Sequence, residues 1–301
     1  KKYKEYKICG FPPPTSGGFG VLQILSILEN FDTKFDYKNT MLDEHLFLEA
    51  SRLTYADRDI YIADPEFFKV PIKELLSDQY IKHRSSLINL QKAVKKFKNG
   101  KPKKIKNNNL QKGINFNLPS TTHISIVDSY GNAVALTSSI EFAFGSGKTV
   151  GGFFLNNQLT DFSFMSHNLA GVKIANSVEP KKKPRSSMAP TIVFKNDQLV
   201  GVLGSPGGSR IICYVAKTLF YIINFNVNIE EAISLPHLCS RNKFSEIEKK
   251  DLELGVYSNL KLLGHDIVKK EMNSGLNIIW KYGDFWGGAS DQRREGVAVG
   301  F

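Results

Sequence analysis

A glycine-rich turn separates a predicted strand from a predicted helix. The segment 204–208 reads Gly-Ser-Pro-Gly-Gly and lies between the apolar run 199–203 and a helical apolar pattern over 210–223. Consecutive glycines let backbone N–H groups converge without a Cβ in the way, and a helix N-terminus adds the positive end of its dipole. The turn is therefore a candidate oxyanion site. Its spacing matches neither a P-loop nor a dinucleotide-binding turn, so a plain strand-to-helix turn is the alternative.

A hydroxyl-rich segment, Ser-Thr-Thr-His at 120–123, opens a predicted β-hairpin. A threonine hydroxyl is a weak nucleophile unless a base lies beside it, and a threonine at a chain terminus can use its own α-amine as that base. This chemistry requires cleavage of the backbone before Thr121. The alternative is an ordinary strand start, since threonine is enriched in strands. His123 alternates onto the face of Thr121, as a candidate base or as an ordinary strand histidine.

Hairpins and helices must position these two segments. Alternating residues over 122–137, around a turn at 128–132, predict one β-hairpin, and 190–194 with 199–203 predict a second. Asn228 is a candidate N-cap for a short helix after the apolar one. Strands are therefore expected to dominate from 121 to the glycine-rich turn.

The first part of the chain is predicted to be mostly helical. Apolar residues recur at near-helical spacing over 21–28 and again over 42–53. Residues 91–120 are rich in lysine and asparagine instead, which is the composition of an exposed connector. Because the period changes from helix to strand directly after this connector, a boundary is predicted between 120 and 121.

The formal net charge of +11 does not by itself indicate a nucleic-acid partner. Residues 92–112 carry nine lysines and no acid, and two further basic stretches lie at 1–7 and 179–185. Most of the basicity therefore sits in short polar segments, not on a folded face interleaved with aromatic residues. No nucleic-acid partner is expected.

The cysteines and the apolar runs argue against a metal-binding, a disulfide-rich and a membrane-spanning protein. The 3 cysteines have no metal-site spacing, so they are expected to be separate small apolar residues, with no metal site and no disulfide framework. The longest mostly apolar run, 211–225, is shorter than the roughly 20 residues of a membrane span, and Lys217 interrupts it. No transmembrane segment is predicted in this chain.

Seven ordered motifs resemble those of the γ-glutamyltransferase (γ-glutamyltranspeptidase) family. They lie at 121–123, 128–134, 144–147, 155–162, 184–191, 204–208 and 289–293. Upstream, 12–18 and the Tyr-Ala-Asp-Arg of 55–58 are similar to the latter part of that family's large subunit. The resemblance thus covers the C-terminal part of a large subunit and a whole small subunit.

The resemblance implies an α+β fold, the four-layer αββα sandwich of stacked antiparallel sheets of an N-terminal-nucleophile hydrolase. It implies a precursor that cleaves itself between Ser120 and Thr121 into two chains that stay associated. Residues 1–120 would be the C-terminal part of the large subunit and 121–301 the small subunit. It also implies a periplasmic or extracellular location.

The resemblance assigns each matching residue a role in γ-glutamyl transfer without a cofactor or metal. Thr121 would attack the γ-carbonyl of glutathione or another γ-glutamyl amide, and water or the amine of an amino acid or dipeptide would take the acyl group. Ser139 would be the hydroxyl partner of the nucleophile, and Gly207 and Gly208 would form the oxyanion hole. Glu141, Gln158 and Asp161 would bind the substrate α-ammonium. Ser186 and Ser187 would bind its α-carboxylate.

Three departures from the family pattern leave alternatives open. Glu141 stands where well-known members have asparagine, which bears on the identity of the donor. The stretch 163–183 is short for a lid and lacks an aromatic gate, as in acylase-like relatives. The family's arginine for the substrate carboxylate belongs to a part of the large subunit that has no match here. The competing functions are a β-lactam or glutaryl acylase and an unprocessed, non-catalytic homologue.

Overall fold

The computed structural model describes residues 1–31, 41–103, 120–249 and 254–300. Seven α-helices are found in these ranges: α1 Gly17–Leu28, α2 Met41–Tyr61, α3 Ile72–Leu75, α4 Asp78–Ser85, α5 Ile211–Phe225, α6 Ile229–Ser234 and α7 Leu254–Leu262. The described strands are β1 Lys2–Tyr3, β2 Tyr6–Gly10, β3 Ser120–Val127, β4 Ala133–Glu141, β5 Thr149–Val150, β6 Phe153–Phe154, β7 Thr191–Lys195, β8 Gln198–Gly204, β9 Leu238–Ser240, β10 Ser245–Glu248, β11 Ile267–Lys270, β12 Asn277–Tyr282 and β13 Phe285–Ser290.

An antiparallel sheet of six strands forms the centre of the molecule. Its strand order is β1-β2-β7-β8-β12-β13. The N-terminal strands therefore pair with strands from beyond the predicted boundary, so both predicted segments contribute to one sheet. A smaller sheet, β11-β10-β9, lies beside it, with β10 parallel to β11 and antiparallel to β9.

Helices α1, α2 and α5 enclose the main hydrophobic core with the central sheet. Helix α5 is apolar nearly all round, and 12 of its residues are buried. A helix of this kind is stable only inside a protein, because no face of it suits water. Its first turn follows the glycine-rich segment directly, so the core fixes the position of that segment.

The hairpin β3–β4 stacks on the central sheet. The ring of His123 lies directly over Gly204 of β8, where a Cβ would come within 2.3 Å of it. The amide of Asn277 on β12 donates to the His123 carbonyl over 3.3 Å. This stacking brings the start of β3 to the end of β8, and so joins the two segments that the sequence singled out.

Most predicted elements agree with the structure. Both hairpins form, α1, α2 and α5 cover the predicted helical stretches, and the Asn228 side chain caps α6 by accepting from the Glu231 amide over 2.9 Å. Of the predicted connector, 91–103 carries neither helix nor strand and Ser120 begins β3, whereas 104–119 lies outside the described residues.

The prediction for the cysteines was wrong in one respect. Cys213 of α5 and Cys239 of β9 form a disulfide across 26 positions of sequence. Cys9 is a free cysteine. The pairing escaped prediction because only the packing of β9 against α5 brings the two thiols together.

Candidate active site

A small cavity collects most of the predicted site residues. Eight of them line it: Thr121, Ser139, Glu141, Gln158, Asp161, Ser186, Ser187 and Gly208. They come from β3, from β4, from the turn after β6, from the loop before β7 and from the turn before α5. Ser120 and Gly207 are chain neighbours of two of them. The fold therefore brings residues up to 87 positions apart to one place.

The hydroxyls of Thr121 and Ser139 are hydrogen bonded. The two residues are opposite each other in the β3–β4 ladder, next to an irregularity in its register between Ser120 and Thr121. The Thr121 hydroxyl donates to Ser139 Oγ over 3.0 Å, and the Ser139 hydroxyl donates to the Ser120 carbonyl over 3.2 Å. Ser139 therefore links the predicted nucleophile to the carbonyl of the bond that is predicted to break.

The carboxylates of Glu141 and Asp161 and the amide of Gln158 form a compact polar group in the lining of the cavity. The Gln158 amide donates to Glu141 Oε2 over 3.3 Å and, over a shorter distance, to Asp161 Oδ2. The backbone of Asp161 is held by the Asn176 amide, which donates to its carbonyl over 2.7 Å. Such a group suits a ligand that carries a positive charge.

Burial changes the protonation of both carboxylates. Loss of water raises the pKa of Glu141 to about 7, and the charge of Asp161 adds to this shift. Burial also raises the pKa of Asp161, although its hydrogen bond from Gln158 and the charges of Arg58 and Arg185 act in the opposite direction. The pair therefore carries less than two full negative charges near neutral pH until a cation binds.

Ser186 and Ser187 line the same cavity. The Ser186 hydroxyl accepts from the Met188 amide over 3.1 Å, and the Ser187 hydroxyl accepts from the guanidinium of Arg58 over 2.6 Å. The N-terminal loop holds this segment, because both the amide and the hydroxyl of Ser16 donate to the Ser186 carbonyl.

The glycine-rich turn has the backbone that its sequence suggested. Gly207 has φ +136° and Gly208 has φ +60°, both in the region that favours glycine. A Cβ on Gly207 would also meet the ring of the buried Tyr214 at 2.4 Å. Gly207 is thus required by packing as well, whereas Gly208 lines the cavity.

A buried carboxylate supports this turn from behind. Glu246 receives Arg210 at 2.7 Å, Arg241 at 3.0 Å and Lys270 at 3.2 Å. Arg241 also donates to the hydroxyl of Ser209, the residue after Gly208, over 2.8 Å. Although burial opposes it, these cations together hold the pKa of Glu246 at about 2. Sequence analysis did not find this cluster.

His123 behaves as a structural histidine. Its ring nitrogens lie 2.7 Å from the Thr137 hydroxyl and 3.2 Å from the Ser125 hydroxyl. Burial lowers its pKa to about 4. Both nitrogens are thus engaged away from Thr121, so its interpretation as a base finds no support in the geometry.

Arg58 is a site residue that sequence reasoning missed. It was noticed only as part of the Tyr-Ala-Asp-Arg segment. Arg58 lies on α2, and in the folded chain its guanidinium contacts Ser187, which is 129 positions away in the sequence. The arginine of the Tyr-Ala-Asp-Arg motif was the available signal in the sequence, but tertiary packing determines its burial and its partner.

The chain belongs to the gamma-glutamyltranspeptidase family, which it matches over residues 1–301. It is 37% identical over 310 aligned residues to the glutathione hydrolase proenzyme of Bacillus subtilis, strain 168. The alignment covers 99% of this chain and 51% of that relative, so the chain spans about half the length of the relative.

Solved structures agree in fold. A mutant of the Helicobacter pylori gamma-glutamyltranspeptidase superposes with a TM-score of 0.53 and 38% identity, over 57% of this chain and 100% of that one. A cephalosporin acylase from Bacillus halodurans superposes with a TM-score of 0.83 over 99% of this chain and 51% of that one, at 24% identity. The expected α+β fold of the N-terminal-nucleophile hydrolases, with stacked antiparallel sheets, is thereby confirmed.

None of the helices in the described ranges is long and apolar enough to cross a membrane.

Proposed function

We propose that the protein transfers γ-glutamyl groups from glutathione or a similar γ-glutamyl amide to water or to an amine, with Thr121 as the nucleophile. The observation that carries this proposal is the pairing of the Thr121 and Ser139 hydroxyls in one cavity with two carboxylates and two serines. The name glutathione hydrolase proenzyme of the Bacillus subtilis relative supports the same reaction.

Cleavage before Thr121 is the first step of this proposal. The Thr121 oxygen attacks the Ser120 carbonyl carbon, and the Ser139 hydroxyl stabilises the oxygen that becomes negative. An ester between Ser120 and Thr121 forms as the peptide C–N bond breaks and the hydroxyl proton passes to the leaving nitrogen, and water then hydrolyses the ester. The free α-amine of Thr121 results, next to its own hydroxyl, where it serves as the base. Residues 1–120 then belong to the C-terminal part of the large subunit and residues 121–301 to the small subunit, and the two stay associated because the central sheet contains strands of both.

The acyl transfer then uses the same hydroxyl. Thr121 attacks the γ-carbonyl of the donor while its α-amine takes the proton, and the amides of Gly207 and Gly208 stabilise the oxyanion. The amine of the donor leaves with that proton, and a γ-glutamyl ester remains on Thr121. Water or an acceptor amine attacks this ester and restores the enzyme.

The two ends of the γ-glutamyl group fit the two polar sides of the cavity. Glu141, Gln158 and Asp161 supply acceptors and negative charge for the α-ammonium. Ser186 and Ser187 supply hydroxyls for the α-carboxylate. Carboxylates for the ammonium and hydroxyl donors for the carboxylate orient the zwitterion in one direction, which places the γ-carbonyl near Thr121.

The test of this function is turnover of a γ-glutamyl anilide by the purified full-length protein, with a glutaryl anilide measured beside it. We expect release of aniline from the γ-glutamyl compound and its loss in Thr121→Ala. Faster turnover of the glutaryl compound, which lacks the ammonium, would favour the acylase function. A single uncleaved chain with no turnover would favour a non-catalytic homologue.

The location and the donor belong to the proposal as well. A periplasmic or extracellular site is proposed from family membership, and fractionation of cells that express the full-length protein tests it. Glutathione is proposed as a donor, and release of cysteinylglycine from it is the measurement.

A further inference from the structure

Arg58 lies behind the serine pair of the cavity, nearly inaccessible to water at 5% exposure. Its guanidinium has three partners: Nε donates to Ser16 Oγ over 2.8 Å, one terminal nitrogen donates to Asp59 over 3.0 Å, and the other donates to Ser187 Oγ over 2.6 Å. A planar guanidinium held at three points has little freedom to rotate. The position of its donor toward Ser187 is therefore fixed.

An arginine can only donate hydrogen bonds, so it fixes the role of the Ser187 hydroxyl oxygen as an acceptor toward Arg58. Ser187 Oγ must accept from Arg58, and its own hydroxyl hydrogen then remains available to the cavity. Ser186 is in the same state, since its oxygen accepts from the Met188 amide over 3.1 Å. Both hydroxyls are thus arranged to donate toward one ligand. Two convergent donors select an anion and disfavour an ammonium or an amide hydrogen.

The charge behind the serine pair favours the same ligand. The guanidinium of Arg185 is also buried, lies 3.7 Å from Asp59 and donates to the Arg58 carbonyl over 3.1 Å. Two arginines therefore share the Asp59 carboxylate. The remaining positive charge lies near Ser187 and also acts on Asp161, in a place where little water screens it.

We propose that Arg58 is a positioning residue that fixes Ser187 as a hydrogen-bond donor and thereby sets the preference of the site for substrates with an α-carboxylate. The inference rests on the proposed γ-glutamyl transfer and adds to it the residue that selects the carboxylate from within this chain. The proposed role of Arg58 holds for the full-length protein, in which other groups can also contact the substrate carboxylate.

The experiment compares two anilides in the full-length protein: the γ-glutamyl anilide and the 4-aminobutanoyl anilide. The second compound keeps the ammonium, the chain and the leaving group but has hydrogen in place of the carboxylate. The readout is the kcat/KM of the γ-glutamyl anilide divided by the kcat/KM of the 4-aminobutanoyl anilide. For Arg58→Gln we expect this ratio to fall by about tenfold or more, mainly through the KM of the γ-glutamyl compound, because a hydrogen bond to a charged group is lost.

The matched control is Arg84→Gln. Arg84 is also buried and pairs with Asp57 at 3.1 Å. Unlike Arg58, which donates to Ser187, it contacts no residue that lines the cavity: its other partners are the carbonyls of Leu53 and Lys98. If losing a buried arginine only loosens the fold, both variants lower kcat/KM for both anilides by the same factor and the ratio stays constant. That result for Arg58→Gln would overturn the inference.

A second variant covers the case in which Arg58→Gln does not fold. Ser16→Ala removes the acceptor of Arg58 Nε, whereas the Ser16 backbone amide still holds the Ser186 carbonyl after the loss of the hydroxyl contact to it. It is expected to lower the ratio by about threefold. An unchanged ratio in a folded Ser16→Ala protein would contradict the positioning role. Wild-type protein that turns over neither anilide would instead overturn the proposed function, so the two failures are distinguishable.

Discussion

Thr121 and Ser139 share a hydrogen bond of 3.0 Å across the β3–β4 ladder, and Ser139 extends it to the Ser120 carbonyl. Strand pairing alone creates this relation, because the two residues are opposite each other in the hairpin. The proposed nucleophile, its hydroxyl partner and the bond that we propose is cleaved thus lie together in the uncleaved chain.

The first prediction concerns self-cleavage. Thr121→Ala should abolish it, and Ser139→Ala should slow it by about tenfold or more, because the developing oxyanion loses a donor. Ser139→Thr keeps the hydroxyl and should process normally. Time-resolved gels measure the rate, and a smaller fragment whose N-terminal residue is not Thr121 would contradict the assignment.

The second prediction concerns Asp161. Asp161→Ala should raise the donor KM strongly, by an equivalent of about 2 to 5 kcal/mol, because the substrate ammonium loses a buried carboxylate. Steady-state kinetics on a γ-glutamyl anilide measure the effect. The exposed Asp128→Ala, which lies in the β3–β4 turn, serves as the control. Equal KM values for Asp161→Ala and wild type would favour an acylase.

The third prediction is a pH dependence of donor binding. Glu141 has a pKa raised to about 7 by burial and by Asp161. Below that pH the carboxyl is protonated and attracts the ammonium less, so the KM should rise as the pH falls, by about tenfold from about pH 8 to about pH 6. Glu141→Gln should remove this step. A wild-type KM that is constant over the range would refute the prediction.

The fourth prediction separates chemistry from folding at Gly208. Gly208→Ala should lower kcat about a hundredfold or more, because the amide of Gly208 is displaced from the oxyanion. Gly131→Ala is the matched control: its φ is +84°, and an added Cβ meets nothing within 4 Å. Both variants should lower the thermal midpoint slightly. A large midpoint loss with normal kcat for Gly208→Ala would show that the turn serves folding only.

The fifth prediction concerns the disulfide between Cys213 and Cys239. Its removal, by reduction or by serine at both positions, should lower stability by about 3 kcal/mol and the thermal midpoint by about 5 to 10 °C, because the loop of 26 residues is no longer closed in the unfolded chain. Cys9→Ser is the control. Two additional reactive thiols in the untreated, denatured protein would show that the bond is absent.

The sequence by itself determined the local elements and the candidate residues. Periodicity predicted both hairpins and the helix α5, since alternation and helical spacing report which side of an element is buried. The glycine-rich turn and the threonine at the start of β3 were predicted as separate candidates. The motifs connected them through the family resemblance, which the comparison with known proteins confirmed.

Only the tertiary structure decided which distant side chains meet. Cys213 forms a disulfide with Cys239, and Arg58 donates a hydrogen bond to Ser187. Glu246 forms ion pairs with Arg210 and Arg241. No spacing in the sequence relates these partners. The physical reason is that buried charges and thiols are paired by the packing of whole elements, which long-range apolar burial determines. Local patterns report the burial of each element, but not the neighbour against which it is buried.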